Sequence, residues 1–345
     1  MITVIVPTYN GINQGLTECL DSISSQTKKD IEVIVVDDAS TDESINVVSD
    51  FASKIKLKLL RNEKNMGLAF SLNKAINNSE GEIILIIHQD CEIFDPQTLE
   101  DSESFLNQNQ DVGVLVGTQL YSFNEMNVYQ KFSEFRLNHL GFLYKTDDFA
   151  NLTENKCDLI RRSALEKIGK FDTGFRTAGE DFMFSYRALK AGIRIFKGKV
   201  LRYNDFMRGE RTFHGVMKRE FKYGVHVPIV IRKTHMFDGE LKENNSSFEA
   251  SKVRNRELAL ITAASILIFT VSSIATGLYY VFLPTFIFLG YRGADLYFSL
   301  KKVNKKIPDL KLSFVPSFIL TISSDIVYSA GFIAGILRMI ASCTR

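Results

Sequence analysis

A carboxylate at the end of a buried strand is the residue of this sequence best placed to do chemistry. Residues 83–87 are all apolar, and the polar cluster His88-Gln89-Asp90 follows them directly. A short, uninterrupted apolar run predicts a strand covered on both faces, which is typical of parallel sheets. Open α/β sheets bind ligands in the crevice outside the carboxyl ends of their strands. Asp90 is therefore placed to hold Mg²⁺ or Mn²⁺ against a diphosphate, although a lone Asp more often begins a loop.

The first 120 residues alternate predicted strands and helices. Strands are expected at 2–6, 31–36, 57–60 and 83–87, with helices at 16–23, 45–51 and 69–76 between them. This alternation predicts right-handed βαβ units, a mainly parallel sheet and an α/β fold. Since parallel strands end at one edge, Thr8, Asp38 and Asp90 should converge there.

The loop after the first strand excludes one way of holding a nucleotide. Residues 7–11 are PTYNG, whereas a dinucleotide-binding unit has GxGxxG at this place. A glycine-rich cradle of backbone amides is therefore not expected, and side chains with a metal would have to hold a nucleotide. The same loop argues against a nucleotidyltransferase on a similar sheet, which remains an alternative.

Several blocks of the chain resemble the inverting family 2 glycosyltransferases with the GT-A fold. The resemblance covers about residues 1–235 and depends on VIVPTYNG at 4–11, CLDSISSQT at 19–27, EVIVVDDASTD at 32–42, NMGLAFSLNKAI at 65–76, GEIILIIHQD at 81–90, KIGKFDTGF at 167–175 and GEDFMFSYR at 179–187. It implies a GT-A-type nucleotide-sugar-binding domain that transfers a sugar from a nucleotide-diphosphate donor to a hydroxyl group.

The resemblance also implies roles for particular residues. The implied donor-binding residues are Pro7, Thr8, Tyr9, Asp38, Gln89 and Asp90. Asp90 would be the last acid of the DxD motif and hold the Mg²⁺ or Mn²⁺ that bridges to the diphosphate, and Asp181 would be the catalytic base. His88 replaces the first acid of the motif. We expect it to be packed and hydrogen-bonded, with a weak role as a softer metal ligand as the alternative.

Glu180 and Asp181 begin a predicted helix, where a structural role is also plausible. Thr177 and Glu180 have the spacing of a capping box, and an acid in the first turn suits the helix dipole. A carboxylate that faces the cleft from a helix start would also be a good general base. We expect Glu180 to cap and position while Asp181 accepts the proton.

Basic residues supply further candidates. Contacts with donor phosphate or acceptor are possible for Arg161, Arg162, Arg187, Arg211 and His214, although a solvated basic face fits the first pair equally well. Residues 194–233 hold 11 Lys and Arg against three acidic residues. Within them, apolar side chains at 213, 216, 217 and 221 predict a basic amphipathic helix of the kind that binds membrane surfaces.

Composition limits the choice of partner and compartment. The net charge of +2 gives no indication of nucleic acid, and none is expected as a partner. The four cysteines are scattered, without CxxC spacing, and are expected to be reduced thiols of a domain in the cytosol.

The uneven spread of apolar residues sets the expected domains. We expect a catalytic domain at 1–235, a linker at 236–256 and a membrane region of two or three helices at 257–345. Residues 258–291 lack any charged side chain and would form a helix of roughly 50 Å, against a hydrocarbon core of about 30 Å. A hairpin of two spans is therefore expected, with both basic flanks in the cytoplasm. A second apolar run, 312–337, would span the membrane or lie in its interface.

Together these features predict a membrane-associated, metal-dependent, inverting glycosyltransferase. It would be a multi-pass protein of the cell membrane, with its catalytic domain on the cytoplasmic side. Its partners would be a nucleotide-diphosphate sugar, a lipid-linked or saccharide acceptor and the lipid bilayer, in assembly of a surface polysaccharide or glycoprotein. A non-catalytic membrane protein that binds nucleotide sugars is the other alternative.

Overall fold

The computed structural model describes residues 1–137, 147–175, 178–234, 260–261, 264–265 and 283–343. The chain divides into two compact units, residues 1–121 with 145–208 and residues 122–144 with 209–345. The domain boundaries expected at 235 and 256 are not the boundaries of these units, and that functional division stays a prediction.

The first unit is a sheet with helices on both faces. Its strands are β1 (Ile2–Thr8), β2 (Ile31–Asp37), β3 (Leu57–Arg61), β4 (Ile83–Ile87), β5 (Cys91–Ile93), β6 (Val112–Leu120), β7 (Asp148–Ala150), β8 (Cys157–Arg161) and β9 (Arg194–Asp205). The helices up to residue 190 are α1 (Leu16–Ser24), α2 (Ser44–Phe51), α3 (Leu68–Asn77), α4 (Thr98–Gln108), α5 (Val128–Leu137), α6 (Arg162–Ile168) and α7 (Glu180–Lys190), of which α5 belongs to the second unit.

The predicted α/β alternation is confirmed, and each strand expected before residue 90 forms close to its expected bounds. The strand order is β3-β2-β1-β4-β8-β6-β9-β5, with β7 beside β9. The sheet is mixed rather than mainly parallel, because four of the eight pairings between described strands are antiparallel. The difference arises after residue 90, where β8 runs antiparallel between β4 and β6.

Two apolar layers hold the sheet. One face packs against α1, α2 and α4, and the other against α3, α6 and α7. The alternate residues of β4 show why its apolar run is continuous: Leu85 faces the first layer and Ile86 the second, and both are fully buried. Burial on both faces leaves polar side chains to the strand ends, which is where a ligand can reach them.

The strand ends converge as predicted. β1 lies between β2 and β4 and is parallel to both, and the Asp38 amide donates a hydrogen bond of 2.8 Å to the Thr8 carbonyl. Because β8 is antiparallel to β4, it begins at the edge where β4 ends, and the His88 amide donates to the Lys156 carbonyl at 2.9 Å. β9 is parallel to β6 and ends at this edge with Asp205.

The second unit is helical. Besides α5, it contains α8 (Phe213–Thr234), α9 (Leu283–Lys306) and α10 (Phe314–Cys343). Helix α8 forms where the basic amphipathic helix is predicted, but its apolar residues do not share one environment. Val216 is fully buried, whereas Phe213 and Phe221 are exposed. A side chain added at Gly331 would clash with the Phe221 carbonyl oxygen, so α8 and α10 pack backbone to backbone.

One helix of the part that the structure describes, Phe314–Ala341 within α10, is long and apolar enough to cross a membrane by length and composition. Such a single helix is weak evidence, since core helices pass the same test. Its central Asp325 is fully buried and forms ion pairs with Arg136 at 2.8 Å and Arg292 at 3.0 Å. The hairpin predicted at 258–291 lies mostly outside the described residues.

Candidate active site

Gln89 joins the end of β1 to the loop after β4. Its side-chain Oε1 accepts hydrogen bonds from the Thr8 hydroxyl at 2.6 Å and the Tyr9 amide at 2.9 Å, and its Nε2 donates to the Tyr9 carbonyl at 3.1 Å. Three bonds fix this amide, so Gln89 holds the first loop in place. The Tyr9 ring is 45% exposed and Pro7 is buried inside β1. Of these implied donor contacts, only Tyr9 presents a large open surface.

Asp38 organises the loop between β3 and α3. Its carboxylate accepts hydrogen bonds from the Met66 amide at 2.7 Å, the Gly67 amide at 2.8 Å and the Asn62 side chain at 2.8 Å. Asp38 is only 6% exposed. Bonds from three donors to one carboxylate are strong, because the acceptor is charged. The implied donor-binding residue therefore also shapes the loop that closes this side of the edge.

The loops after β1 and β2 are bonded to each other. The Asn10 amide donates to the Ser40 hydroxyl at 2.9 Å, the Thr41 amide donates to Asn10 Oδ1 at 2.9 Å, and the Gly11 amide donates to the Ser44 hydroxyl at 2.8 Å. Asn10 adopts a positive φ of 47°, a conformation that Asn tolerates better than most residues. Asn10 and Gly11 thus fix the loops after β1 and β2 to each other.

Two carboxylates lie close together at the carboxyl edge of the sheet. Oxygen atoms of Asp90 and Asp205 and the sulfur of Cys91 all lie within 4.8 Å of one another. Carboxylate oxygens are the ligands that Mg²⁺ and Mn²⁺ prefer, so the two acids fit such an ion. Burial and the charges of Asp205 and Asp90 raise the pKa of the Cys91 thiol well above its usual value. Cys91 therefore stays protonated and lines the site rather than binding a hard cation.

His88 does not join this cluster. Burial, and then the charge of Lys156, lower the pKa of His88 to about 4, so its imidazole is neutral at pH 7. Its Nε2 is buried and has no hydrogen-bond partner among the described residues. The expected packing of His88 is seen, while the expected side-chain hydrogen bond of this nitrogen is not.

A short segment before β8 connects the acids to α7. The Thr153 hydroxyl donates to the Asp181 carbonyl at 3.5 Å, and its amide donates to Ser185 Oγ at 2.9 Å. Three residues later, the Lys156 carbonyl accepts a hydrogen bond from the His88 amide, and the Lys156 ammonium forms an ion pair with Asp205. Residues 153–156 therefore tie the start of α7 to the edge that carries Asp90 and Asp205.

The predicted capping box requires Glu180 three residues after the cap, whereas helix α7 begins at Glu180 directly after Gly179. Helix α7 begins at Glu180, after Gly179 with a φ of 96°, and no side chain among the described residues caps it. Thr177 lies outside those residues. Glu180 is 6% exposed and its Oε2 lacks a partner within the described chain. Because the helix starts at Glu180 itself, that side chain points into the core instead of reaching back.

Glu180 and Asp181 therefore differ in environment. Burial, and then the charge of Asp181, raise the pKa of Glu180 to about 8, so Glu180 is largely protonated at neutral pH. Asp181 is partly exposed, and its Oδ1 accepts the Phe182 amide at 2.7 Å. Of the two acids, Asp181 is the more exposed.

The structure does not bring all the basic candidates to this edge. Arg161 pairs with Ile83 at the opposite end of β4 and donates to the Val112 carbonyl at 2.9 Å. Arg162 donates to the Gly81 carbonyl at 2.7 Å. Both arginines thus bind backbone at the far edge of the sheet.

The other three basic candidates are divided between the two units. Arg187 is partly buried on α7, and its Nε donates to the Met183 carbonyl at 3.3 Å. Arg211 and His214 are exposed residues of the second unit.

Two residues at the site were missed by sequence reasoning. Asp205 and Lys156 lie outside the blocks that carry the resemblance. Asp205 gave only a weak indication, because the apolar residues of the stretch before it are interrupted by basic ones, unlike the continuous apolar run before Asp90. Lys156 gave no such indication, because its place depends on the reversed direction of β8.

A sheet covered on both faces, with fixed loops and paired carboxylates at its carboxyl edge, has the architecture of a GT-A domain. Residues 3–169 match the family model described as "Glycosyl transferase family 2", which identifies a domain of this kind in that part of the chain. Among solved structures, it resembles the mannosyltransferase PcManGT from Pyrobaculum calidifontis, determined with GDP-Man and Mn²⁺. The TM-score is 0.57 at 19% identity, over 98% of this chain and 87% of the other.

Two relatives show over how much of the chain the sequence similarity extends. Poly(ribitol-phosphate) beta-N-acetylglucosaminyltransferase TarS of Staphylococcus aureus is 35% identical over 117 residues, which is 33% of this chain and 20% of TarS. The PGL/p-HBAD biosynthesis glycosyltransferase of Mycobacterium bovis is 28% identical over 214 residues, 60% of this chain and 77% of that protein. The match thus spans about a fifth of the length of TarS.

Proposed function

We propose that this chain transfers a sugar, with inversion, from a nucleoside-diphosphate donor to a hydroxyl group of an acceptor. The acceptor is a lipid-linked or saccharide glycan in the assembly of a cell-surface polymer, and the enzyme works at the cytoplasmic face of a membrane. The main support for this proposal is that Asp90, Asp205 and the segment that holds the start of α7, with Asp181, lie at one edge of the sheet.

The fixed loops of this edge suit the nucleotide half of a donor. Gln89 holds the loop with the exposed Tyr9 ring, which offers an apolar face to a base. Asp38 holds the neighbouring loop through the Met66 and Gly67 amides. A site built before the donor arrives loses little conformational entropy on binding.

In the proposed mechanism, the Asp181 carboxylate accepts the proton of the acceptor hydroxyl. The hydroxyl oxygen forms a bond to the anomeric carbon from the face opposite the leaving group, and the bond from that carbon to the diphosphate oxygen breaks. A divalent cation held by Asp90 and Asp205 would neutralise charge on the diphosphate when it is bound. Glu180, buried and protonated, supports the start of α7 without competing for the proton.

The membrane part of the proposal has separate support. Helix α10 contains an apolar stretch of sufficient length, and α8 carries exposed Lys218 and Lys222 beside the exposed Phe221. Basic and apolar side chains on one helix favour an anionic membrane surface. TarS is named as a beta-N-acetylglucosaminyltransferase of poly(ribitol-phosphate), and the mycobacterial relative as a PGL/p-HBAD biosynthesis glycosyltransferase.

The test compares Asp181→Asn with Glu180→Gln and the parent chain. UDP- and GDP-linked sugars are supplied with Mn²⁺ and membrane extract, and both sugar transfer and donor binding are measured. Asp181→Asn should keep donor affinity near that of the parent and lose about two to four orders of magnitude in transfer.

Glu180→Gln preserves the neutral, uncharged form of the buried side chain and should cost less activity than Asp181→Asn. Equal transfer by Asp181→Asn and the parent would remove Asp181 as the base. Donor binding without any transfer in the parent would favour a non-catalytic nucleotide-sugar-binding protein.

A further inference from the structure

Lys156 places a positive charge inside the carboxylate cluster. Its ammonium group forms an ion pair with Asp205, whose side chain is 1% exposed, while the Lys156 side chain itself is 33% exposed. Its carbonyl accepts the His88 amide at 2.9 Å, so its backbone is fixed to the strand end that leads to Asp90. The Lys156 side chain thus extends from a fixed backbone and is itself partly exposed.

Each carboxylate oxygen of Asp205 has a partner in this arrangement. Oδ1 accepts the Met207 amide at 2.9 Å, and Oδ2 faces the Lys156 ammonium. A divalent cation that takes Asp205 Oδ2 as a ligand would compete with the ammonium for this oxygen. Two cations cannot share one buried oxygen without strong repulsion.

Another lysine of the first unit, Lys197, differs from Lys156 in being buried. Lys197 is 5% exposed and is held by Glu154 at 3.0 Å. Glu154 is itself bonded to the Tyr203 hydroxyl at 3.0 Å. Lys197 is thus buried with its partners, whereas a third of the Lys156 side chain is exposed.

We propose that Lys156 binds the donor diphosphate, and that a divalent cation releases it for this role by taking the carboxylate of Asp205. This inference depends on the proposed function. An ammonium on a four-carbon stem can move by several ångströms while its backbone stays in place, and it suits phosphate as a point charge. Charge that develops on a leaving diphosphate is best stabilised by groups already held beside it.

The experiment uses the full chain with Lys156→Met, and Lys156→Arg as the variant that keeps the charge. Lys199→Met is the matched control, because Lys199 is exposed and pairs with exposed Asp147 at 3.4 Å. Two titrations are made on each protein: Mn²⁺ alone, followed by the electron paramagnetic resonance signal of free Mn²⁺, and UDP or GDP in saturating Mn²⁺, followed by calorimetry.

Lys156→Met should bind Mn²⁺ alone about tenfold more tightly, because Asp205 no longer holds an ammonium, and should bind the diphosphate about tenfold more weakly. Lys156→Arg should restore most of the diphosphate affinity, and Lys199→Met should match the parent. A misfolded variant would weaken both titrations, so opposite changes cannot come from loss of structure.

The inference requires both changes. If the parent binds Mn²⁺ and one diphosphate but Lys156→Met leaves either titration unchanged, the role of Lys156 is overturned while the proposed function stands. If the parent binds neither UDP nor GDP in Mn²⁺, the proposed function fails, and the inference fails with it.

Discussion

Asp205, the last residue of β9, brings a carboxylate oxygen within 4.8 Å of a carboxylate oxygen of Asp90, which follows β4. The two strands are not neighbours, since β8 and β6 lie between them in the sheet. The contact exists because β5, which begins at Cys91, pairs antiparallel with the end of β9 and aligns Cys91 with Asp205. One short strand therefore assembles the candidate cation site.

This arrangement predicts that both acids are needed for cation binding. Asp90→Asn and Asp205→Asn each keep the shape of the side chain but remove its charge. Each should weaken Mn²⁺ binding by about tenfold or more, because loss even of groups that only support a ligand costs about 10–100-fold. Binding of Mn²⁺ to the purified chain, without any donor, measures the effect. Unchanged affinity in Asp205→Asn would remove that residue from the site.

A second prediction concerns Asp38. Asp38→Asn turns one acceptor oxygen into a donor that faces the amides and side-chain nitrogen now bound to the carboxylate. The free energy of unfolding should fall by about 1–3 kcal/mol, because buried donors lose their partners. Denaturant unfolding measures this fall, and donor affinity should decrease with it.

The control for Asp38 is Asp50→Asn, a change on the exposed side of α2. It should alter stability by no more than about 0.5 kcal/mol. If Asp38→Asn lowered donor affinity with unchanged stability, Asp38 would serve the nucleotide and not the loop.

A third prediction concerns pH. The pKa of Glu180 is raised from 4.5 to about 8 by burial, so the folded chain keeps a proton that the unfolded chain releases. Stability from this group is fully present below about pH 4.5 and is lost as the pH rises towards 8. Glu180→Gln cannot lose a proton, so its stability should depend less on pH.

Denaturant unfolding of the parent and Glu180→Gln at pH 5, 6.5 and 8 tests this. Between pH 5 and 8, the free energy of unfolding of the variant should rise relative to that of the parent by at least about 1 kcal/mol, since one pKa unit corresponds to about 1.4 kcal/mol. Buried Asp158, whose pKa is raised to about 7 by burial and Glu154, is present in both proteins and cancels. Parallel curves for the two proteins would contradict the raised pKa of Glu180.

The fourth prediction concerns the helix pair of the second unit. Gly331→Ala adds a methyl group against the Phe221 carbonyl oxygen of α8 and should lower stability by about 1–3 kcal/mol. Gly290→Ala is the control, because Gly290 lies in α9 with no atom within 4 Å of an added Cβ. That change should raise stability by about 0.5–1 kcal/mol. Thermal unfolding of both variants gives the comparison, and equal melting temperatures would mean that α8 and α10 do not pack closely.

The sequence by itself determined the strands and helices before residue 90 and the edge of the sheet where polar residues gather. A short apolar run such as Ile83–Ile87 between helical patterns is typical of a strand buried inside a sheet, and parallel strands must present Thr8, Asp38 and Asp90 at the same end. These features depend on local composition and on one rule of topology, so they need no knowledge of distant contacts.

Only the tertiary structure decided which charges meet. The antiparallel direction of β8 puts Lys156 beside Asp205 and sends Arg161 to the far edge, although only four residues lie between the two in the chain. The pairing of β5 with β9 brings in Asp205 from the other end of the domain. Burial decided that Glu180 keeps its proton, and the buried Asp325 in α10 is explained only by arginines from two other helices. Such effects depend on distances across the fold, which residue type and spacing along the chain do not specify.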